Sequence, residues 1–294
     1  DLDNDDDLDI YVANDFGFNF FFENQGAEGG YELVETAEIM NIAGDENRAA
    51  SPKAMSMGLA IADYDNDLDL DIYVTTFLLN ALYRNDGPIG RNGTWKFTDV
   101  AQESGVEYPL NCWGTDFVDL DNDTDLDLIQ TSGFIYSSLF NQPYEIPDQV
   151  WLNDGPESGW TFTAVSEDVG FSSTQMGRGL ATGDIDRDGD IDVIVTNNSY
   201  YAPTYDEYMA GVEGAQYFEG HSLVYRNDQQ SGNNWVNLRL QGSVGNGGNT
   251  NRMGIGARVY LDTTDGLTMM REVQSGNSFL SHNSMEVEFG LGPA

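Results

Sequence analysis

The stretch DYDNDLDLDIYVTTF, from Asp63 to Phe77, places aspartate at five alternate positions and then becomes apolar. On a β-strand all five carboxylates would point to one face of the sheet. Each neighbouring pair would then repel by about 1 kcal/mol even in water, and by more beside a protein surface. A loop wrapped around a hard cation relieves this repulsion, because Ca²⁺ takes roughly six to eight oxygen ligands and favours carboxylates. The stretch therefore predicts a calcium-binding loop that leads into a strand.

The same pattern occurs four times, at intervals of about 60 residues, and a fixed long period of this kind indicates a repeat architecture. We number these segments loops 1 to 4 and their positions places 1 to 9; aspartate fills places 1, 3, 5, 7 and 9, and an apolar run begins at the tenth position. The candidate metal ligands are Asp1, Asp3, Asp5, Asp7 and Asp9 in loop 1; Asp63, Asp65, Asp67, Asp69 and Asp71 in loop 2; Asp119, Asp121, Asp123, Asp125 and Asp127 in loop 3; and Asp184, Asp186, Asp188, Asp190 and Asp192 in loop 4.

The composition is that of a folded and strongly acidic chain. Its 294 residues are 40% hydrophobic, and its formal net charge is −38. This charge argues against nucleic acid and anionic membranes as partners, because both are polyanions. No apolar run is long enough to insert into a bilayer. Cys112 is the only cysteine, so we expect a buried thiol and a secreted or cell-surface fold that Ca²⁺, and not a disulfide, stabilises.

Short β-type segments follow each loop. The first is β-branched and aromatic (IYVAN, IYVTTF, LIQTSGF and VIVTNN). The second carries an aromatic residue and then an asparagine before a turn, in the pairs Phe22 and Asn24, Tyr83 and Asn85, Trp151 and Asn153, and Tyr225 and Asn227. A third segment follows in the first three repeats, and a last one leads into the next loop with Gly58, Gly114 or Gly179 five residues before the first aspartate. Four short strands per repeat predict an all-β fold of β-propeller blades. We interpret the alternating Phe18, Phe20 and Phe22 as one buried strand face.

The unit NALYRNDG…WKFTDVAQESGV…GTDFVDLDNDTDLDL resembles the FG-GAP/VCBS repeats of integrin α-subunits and of the cartilage acidic protein family, over residues 1 to about 228. The tail, NNWVNLRLQG…NRMGIGARVYL…MMREVQSGNSFLSHNSMEVEFGLG, resembles the ASPIC/UnbV domain that follows such repeats in that family. The resemblance implies that residues 1–232 form about four blades of a larger propeller, and that residues 233–294 form a small β-rich domain. Because both ends fall inside family motifs, we expect the chain to be part of a longer protein.

The resemblance also implies the ligands of up to four Ca²⁺ ions, namely side chains from places 1, 3, 5 and 9 and a backbone carbonyl from place 7. An EF-hand requires a bidentate glutamate at position 12, whereas this chain has Val12, Val74, Gln130 and Val195 there. The family has glycine at place 6, which only loop 4 retains as Gly189; the other loops carry Asp6, Leu68 and Thr124. Side chains are strained at positive φ. Either metal binding offsets that strain, or loops 2 and 3 bend differently.

A tyrosine-rich insertion, Asn197 to His221, follows loop 4. Its candidate recognition residues are Tyr200, Tyr201, Tyr205, Tyr208 and Tyr217. Binding residues concentrate on loops, and tyrosine combines a large apolar face with a polar tip. Two interpretations stay open: a recognition surface for a protein or glycan partner, and a lid packed on the next blade or on the C-terminal domain.

Two classes of function also stay open. The first is an extracellular calcium-binding propeller that acts as an adhesion, recognition or structural module in a larger protein or assembly, whose other subunits would be its partners. The second is a glycan-directed enzyme built on a propeller scaffold. The sequence gives catalysis little support, because it has only two histidines, His221 and His282, and neither an HExxH nor a GxSxG motif. Its acidic residues are too numerous to single out a catalytic pair.

Overall fold

The fold consists of short antiparallel strands joined by turns. The computed structural model describes residues 1–15, 17–44, 55–89, 93–134, 143, 145–202, 209–229, 231–245 and 248–293. In this part of the chain, helix is confined to single turns at α1 (Ala37–Met40), α2 (Ala101–Ser104) and α3 (Gly155–Ser158). The all-β prediction is therefore confirmed. None of the helices described is long and apolar enough to cross a membrane.

Each of the four predicted repeats forms its own sheet. Repeat 1 pairs β1 (Ile10–Val12), β2 (Phe20–Asn24) and β3 (Leu33–Glu35) in that order. Repeat 2 pairs β4 (Ser56–Ala62), β5 (Asp71–Thr76), β6 (Ala81–Ile89) and β7 (Thr94–Asp99). Repeat 3 pairs β8 (Cys112–Val118), β9 (Asp127–Ser132), β10 (Gln149–Asn153) and β11 (Phe162–Ala164). Repeat 4 pairs β12 (Met176–Gly183), β13 (Asp192–Asn198) and β16 (Leu223–Tyr225), and the hairpin of β14 (Tyr200–Ala202) and β15 (Gln216–Phe218) is inserted between β13 and β16.

Both faces of the two inner repeats are buried, because each of them packs between two others. In repeat 2, Ile72 and Val74 belong to a core cluster with Phe21 and Ile42 of repeat 1. The opposite face of the same strand carries Tyr73, which belongs to a cluster with residues of repeat 3. A third cluster joins repeats 3 and 4 in the same way. Strands that are buried on both faces show continuous apolar sequence, which explains the runs that follow the acidic loops.

The strands before loops 2 and 3 approach the next repeat closely at the predicted glycines. A Cβ atom on Gly58 would lie 2.0 Å from the carbonyl oxygen of Trp113 in repeat 3. A Cβ atom on Gly114 would lie 2.7 Å from the backbone nitrogen of Leu180 in repeat 4. Only glycine fits at these positions, so the spacing that the sequence repeats is a packing requirement between repeats.

The outer face of repeat 1 corrects one prediction. Phe20 is 41% exposed, whereas Phe21 is fully buried, so the alternating phenylalanines are not the buried face of β2. Ile10 in β1 is 47% exposed, although its counterpart Ile72 in repeat 2 is buried. The physical reason is that no other repeat in the described residues covers this face of repeat 1.

A smaller β unit follows repeat 4. Its strands are β17 (Asn234–Leu238), β18 (Val244–Gly245), β19 (Gly248–Asn249), β20 (Arg258–Asp262), β21 (Thr268–Glu272) and β22 (Val287–Gly292). β17 pairs with β22, β18 with β19, and β20 with β21, and Met269, Val273, Val287 and Phe289 form the core. The segment between β21 and β22 lies on the first strands of the repeats: Ser278 pairs with Leu59 of β4, and the backbone N–H of Ser284 donates to the carbonyl of Thr182 in β12 at 2.9 Å.

Candidate metal centres

Three carboxylates converge in each acidic loop. One oxygen from each member of a group lies within 4.8 Å of the others, and the groups are Asp1, Asp3 and Asp5; Asp63, Asp65 and Asp71; Asp119, Asp121 and Asp127; and Asp184, Asp186 and Asp192. Loops 2 to 4 thus use places 1, 3 and 9, and loop 1 uses places 1, 3 and 5. The other predicted ligands, Asp7, Asp9, Asp67, Asp69, Asp123, Asp125, Asp188 and Asp190, lie outside these groups.

Hydrogen bonds between each loop's own side chains and backbone hold it in a tight curl. In loop 2, Asp63 Oδ1 accepts from the N–H of Asp67 at 2.9 Å, and Asp71 Oδ2 accepts from the N–H of Tyr64 at 3.2 Å. The side chain of Asp67 accepts from the N–H of Asp69 at 2.9 Å. Equivalent bonds occur in the other three loops. The carboxylates at places 1 and 9 therefore receive backbone donors, and these bonds hold them in the loop.

All four loops bend in the same way at place 6. Backbone φ there is +71° at Asp6, +75° at Leu68, +95° at Thr124 and +94° at Gly189. The sequence left open whether loops 2 and 3 bend differently from loop 4. They bend in the same way, so Leu68 and Thr124 have a strained backbone at place 6. Place 4 also has positive φ, at Asn4, Asn66, Asn122 and Arg187, and asparagine tolerates this conformation better than most residues.

The carboxylate at place 3 has a buried oxygen without a hydrogen-bond partner. This holds for Oδ1 of Asp3, Asp65 and Asp121, each judged against the described residues. An unpaired buried carboxylate oxygen is costly, and its recurrence at one place in three loops requires a common cause. A hard cation would satisfy these oxygens, so the residues present fit a bound Ca²⁺ ion.

Burial shifts the pKa values of the same carboxylates. It raises the pKa of Asp3 and of Asp65 to about 7, and the charges of neighbouring aspartates add to the effect. It raises the pKa of Asp63 and of Asp119 to about 7, although the guanidinium of Arg271 opposes the rise. A cation in the loop would replace the protons that these groups otherwise retain near neutral pH.

Loop 4 differs from the other three in its exposure. At place 3, Asp186 is exposed, whereas Asp3 is buried and Asp65 and Asp121 are half-buried. Exposed carboxylates are hydrated and need a cation less than buried ones. Loop 4 has the family glycine at place 6, but loops 1 to 3 have the unpaired buried oxygens.

The C-terminal unit contributes residues that the sequence analysis did not identify. Arg258 Nη2 lies 3.2 Å from Asp1 Oδ2, and Asn237 Nδ2 donates to Asp184 Oδ2 at 3.1 Å. Burial lowers the pKa of Arg271, and the charges of Asp119 and Asp63, which line the same cavity, oppose that shift. These residues therefore face the aspartates at place 1. The sequence offered one signal, because the chain has only 12 basic residues.

The tyrosine-rich insertion is described in part. Tyr200 is buried, and its ring stacks on Phe218 at 4.7 Å. Tyr201 and Tyr217 lie 5.0 Å apart across the β14–β15 hairpin, and Tyr217 is 46% exposed. Tyr205 and Tyr208 lie outside the described residues.

Family models match two parts of the chain. Residues 63–129, which span loops 2 and 3, match the model of the FG-GAP-like repeat. Residues 247–294 match the model described as ASPIC and UnbV. The chain therefore combines FG-GAP-like repeat sequence with a C-terminal ASPIC/UnbV segment. A search of curated proteins returned no match.

Proposed function

We propose that this protein is a calcium-binding recognition or structural module of an extracellular protein or assembly. Asp63, Asp65 and Asp71 would hold one ion in loop 2, and the aspartates at the same places would hold ions in loops 3 and 4. Loop 1 would use Asp1, Asp3 and Asp5. Bound Ca²⁺ would supply positive charge where buried carboxylates otherwise repel one another.

One observation carries this proposal. The place-3 oxygens of Asp3, Asp65 and Asp121 are buried and unpaired among the described residues, and each belongs to a converging group of three carboxylates. Repulsion alone would push such groups apart. A shared cation explains both the convergence and the missing hydrogen-bond partners. The match of loops 2 and 3 to the FG-GAP-like repeat model also supports the proposed calcium sites.

We further propose that residues 1–232 are part of a β-propeller of the cartilage acidic protein type, and that residues 233–294 are its ASPIC/UnbV-like domain. The two outer faces of the four-repeat array support this proposal. Ile10 and Val12 of repeat 1 are 47% and 38% exposed, and Ile194 and Val224 of repeat 4 are 38% and 65% exposed. In a closed ring, further repeats would cover these apolar faces as the inner repeats cover one another.

FG-GAP-like repeats are typical of extracellular proteins, which supports a secreted or cell-surface location. We propose that Tyr201 and Tyr217 of the insertion contact a protein or glycan partner. Tyr217 has an exposed side chain, and the ring of Tyr201 lies beside it. Tyr200 is buried and would support them. The enzyme alternative gains no specific support from the described residues, in which both histidines are exposed.

The test of metal binding is a calcium count on matched variants. Equilibrium dialysis of the wild-type protein should find calcium bound, and excess chelator should lower its Tm reversibly. Asp65→Asn should lose one ion, because it removes a buried carboxylate charge from loop 2. The exposed Asp168→Asn should keep the full number. The proposal would be refuted if the wild-type protein bound no calcium and its Tm did not change with chelator.

A further inference from the structure

The asparagine before the turn in each repeat links the acidic loop to a strand of the same repeat. The backbone N–H of Asn85 donates to Asp71 Oδ1 in loop 2 at 2.7 Å. The equivalent bonds from Asn24, Asn153 and Asn227 to the place-9 aspartates of their loops measure 3.0, 2.9 and 2.9 Å. Place 9 belongs to the converging carboxylates in loops 2 to 4. In loops 2 to 4 the turn asparagine therefore positions a proposed metal ligand.

The side chain of the same asparagine reaches back to the preceding loop. Nδ2 of Asn85 donates to the carbonyl of Leu2 at 3.0 Å, Nδ2 of Asn153 to that of Tyr64 at 3.1 Å, and Nδ2 of Asn227 to that of Leu120 at 2.8 Å. In each case the acceptor is place 2, between the aspartates at places 1 and 3. Asn85, Asn153 and Asn227 thus each contact two loops.

A further bond crosses each junction in the opposite direction. The place-4 asparagine of one loop donates through Nδ2 to the place-7 aspartate of the next, from Asn4 to Asp69, from Asn66 to Asp125 at 3.4 Å and from Asn122 to Asp190 at 3.1 Å. These bonds occupy the place-7 side chains, which lie outside the converging groups. Consecutive loops are therefore joined by side-chain hydrogen bonds in both directions.

We propose that the four loops bind calcium cooperatively, and that these asparagines transmit the coupling from loop to loop. The inference rests on the calcium sites proposed above. An ion held by places 1 and 3 of one loop fixes the peptide at place 2. That peptide fixes the turn asparagine, which in turn positions the place-9 carboxylate of the next loop. The second ion then binds a site that is already organised.

The chain provides a matched control for this proposal. Asn24 makes the equivalent bond to its own place-9 aspartate, and its Nδ2 donates to Leu8 within loop 1 at 3.2 Å. Among the described residues, its hydrogen bonds stay within its own repeat. Asn24→Ala should therefore disturb one loop, whereas Asn85→Ala should disturb two loops and the coupling between them.

The test is calcium titration of the full chain by calorimetry, with the Hill coefficient and the number of sites as readouts. We expect a Hill coefficient near 2 for the wild type. Asn24→Ala should keep this coefficient, and any loss of calcium affinity should be confined to loop 1. Asn85→Ala should bring the Hill coefficient close to 1 and weaken two sites at least about tenfold, which is within the usual range of coupling between sites. Independent wild-type sites, or an Asn85→Ala variant that matches Asn24→Ala, would overturn the proposal.

A second pair of variants guards against misfolding. Asn122→Gly retains positive φ at place 4 and removes the donor to Asp190, so it should reduce the Hill coefficient. Arg187→Gly changes the same place in loop 4, which no further loop follows in this chain, and should leave the coefficient unchanged. Equal effects of these two variants would count against the coupling. Failure of the wild-type chain to bind any calcium would refute the proposed function itself.

Discussion

Asp148 is a fully buried carboxyl that the metal loops do not use. It lies before β10 at the position that Asn19 and Asn80 occupy in repeats 1 and 2, and its Oδ1 accepts from the N–H of Ser132 at 2.7 Å. The amide of Asn80 also donates to the hydroxyl of Tyr73 at 2.8 Å. Repeat 3 has Ile129 in place of that tyrosine, so Asp148 Oδ2 has no hydrogen-bond partner in the described part of the chain.

Burial raises the pKa of Asp148 well above its usual value. The unfolded carboxyl releases its proton near pH 4, whereas the folded one retains it to higher pH. The folded state therefore binds more protons, and stability falls as pH rises from about 4 to the folded pKa.

Asp148→Asn should remove this contribution. The difference in unfolding free energy between wild type and variant should change by up to about 1.4 kcal/mol per pH unit above pH 4, in favour of the variant. Urea unfolding at a series of pH values and one calcium concentration measures it, since the metal loops titrate equally in both proteins. For the exposed control Asp168→Asn, the plot of unfolding free energy against pH should be parallel to that of the wild type. A parallel curve for Asp148→Asn would refute the assignment.

At the scale of the strands, a threonine in the second strand of a repeat joins two repeats. Thr75 in β5 accepts from the N–H of Gly58 at 2.8 Å and donates to the carbonyl of Trp113 in repeat 3 at 2.6 Å. Thr131 makes the same pair of bonds to Gly114 and to Arg178 of repeat 4, both at 3.0 Å. In repeat 4, the hydrogen bonds of Thr196 within the described part of the chain go to Gly179 of its own sheet. The hydroxyl thus takes the space that the glycine leaves free.

Thr75→Val keeps the shape of the side chain and removes the hydroxyl. It should lower the unfolding free energy by about 2–3 kcal/mol, because buried backbone groups of Gly58 and Trp113 lose their partner. Thr196→Val should cost about 1 kcal/mol or less, because Thr196 is exposed and bonds to no second repeat among the residues described. Chemical denaturation of both variants gives the comparison. Equal losses would show that the bond between repeats contributes nothing.

The repeating sequence predicts these elements because each contact between repeats imposes the same residue at the same place. Asp63, Gly58 and Asn85 each recur in phase, and the strands around them are confirmed. The burial of Phe20 was predicted wrongly, because it depends on what covers repeat 1. The contacts of Arg258 and Arg271 could not be predicted either, since they join residues far apart in the chain and have no periodic signal.

At the scale of the whole molecule, the C-terminal unit contacts all four acidic loops. Arg258 contacts loop 1, and Asn237 contacts loop 4. Gly290 lies so close to loop 3 that a Cβ atom would be 2.1 Å from Asp119 Oδ2. Arg271 supplies a buried positive charge near loops 2 and 3. The unit therefore contacts the place-1 aspartates and places positive charge near three of them, which favours the packing of so acidic an array.

Arg271→Met should destabilise the protein, since it leaves Asp63 and Asp119 without the nearby guanidinium. We expect a loss in unfolding free energy below the roughly 3–5 kcal/mol of a broken buried ion pair, because the burial that lowers the pKa of Arg271 offsets part of its attraction to these carboxylates. The exposed Arg252→Met should change stability by less than about 0.5 kcal/mol. Thermal and urea unfolding at fixed calcium measure both. A neutral Arg271→Met variant would contradict the role given to this guanidinium.

The most direct test of the account is a crystal structure of the protein grown with millimolar CaCl₂ and phased to reveal anomalous scatterers. The account predicts an anomalous peak in each acidic loop, about 2.3–2.6 Å from carboxylate oxygens at places 1 and 3. In loops 1 to 3, the ion should contact the oxygens of Asp3, Asp65 and Asp121 that lack other partners. Ordered loops without anomalous peaks at that calcium concentration would contradict the account.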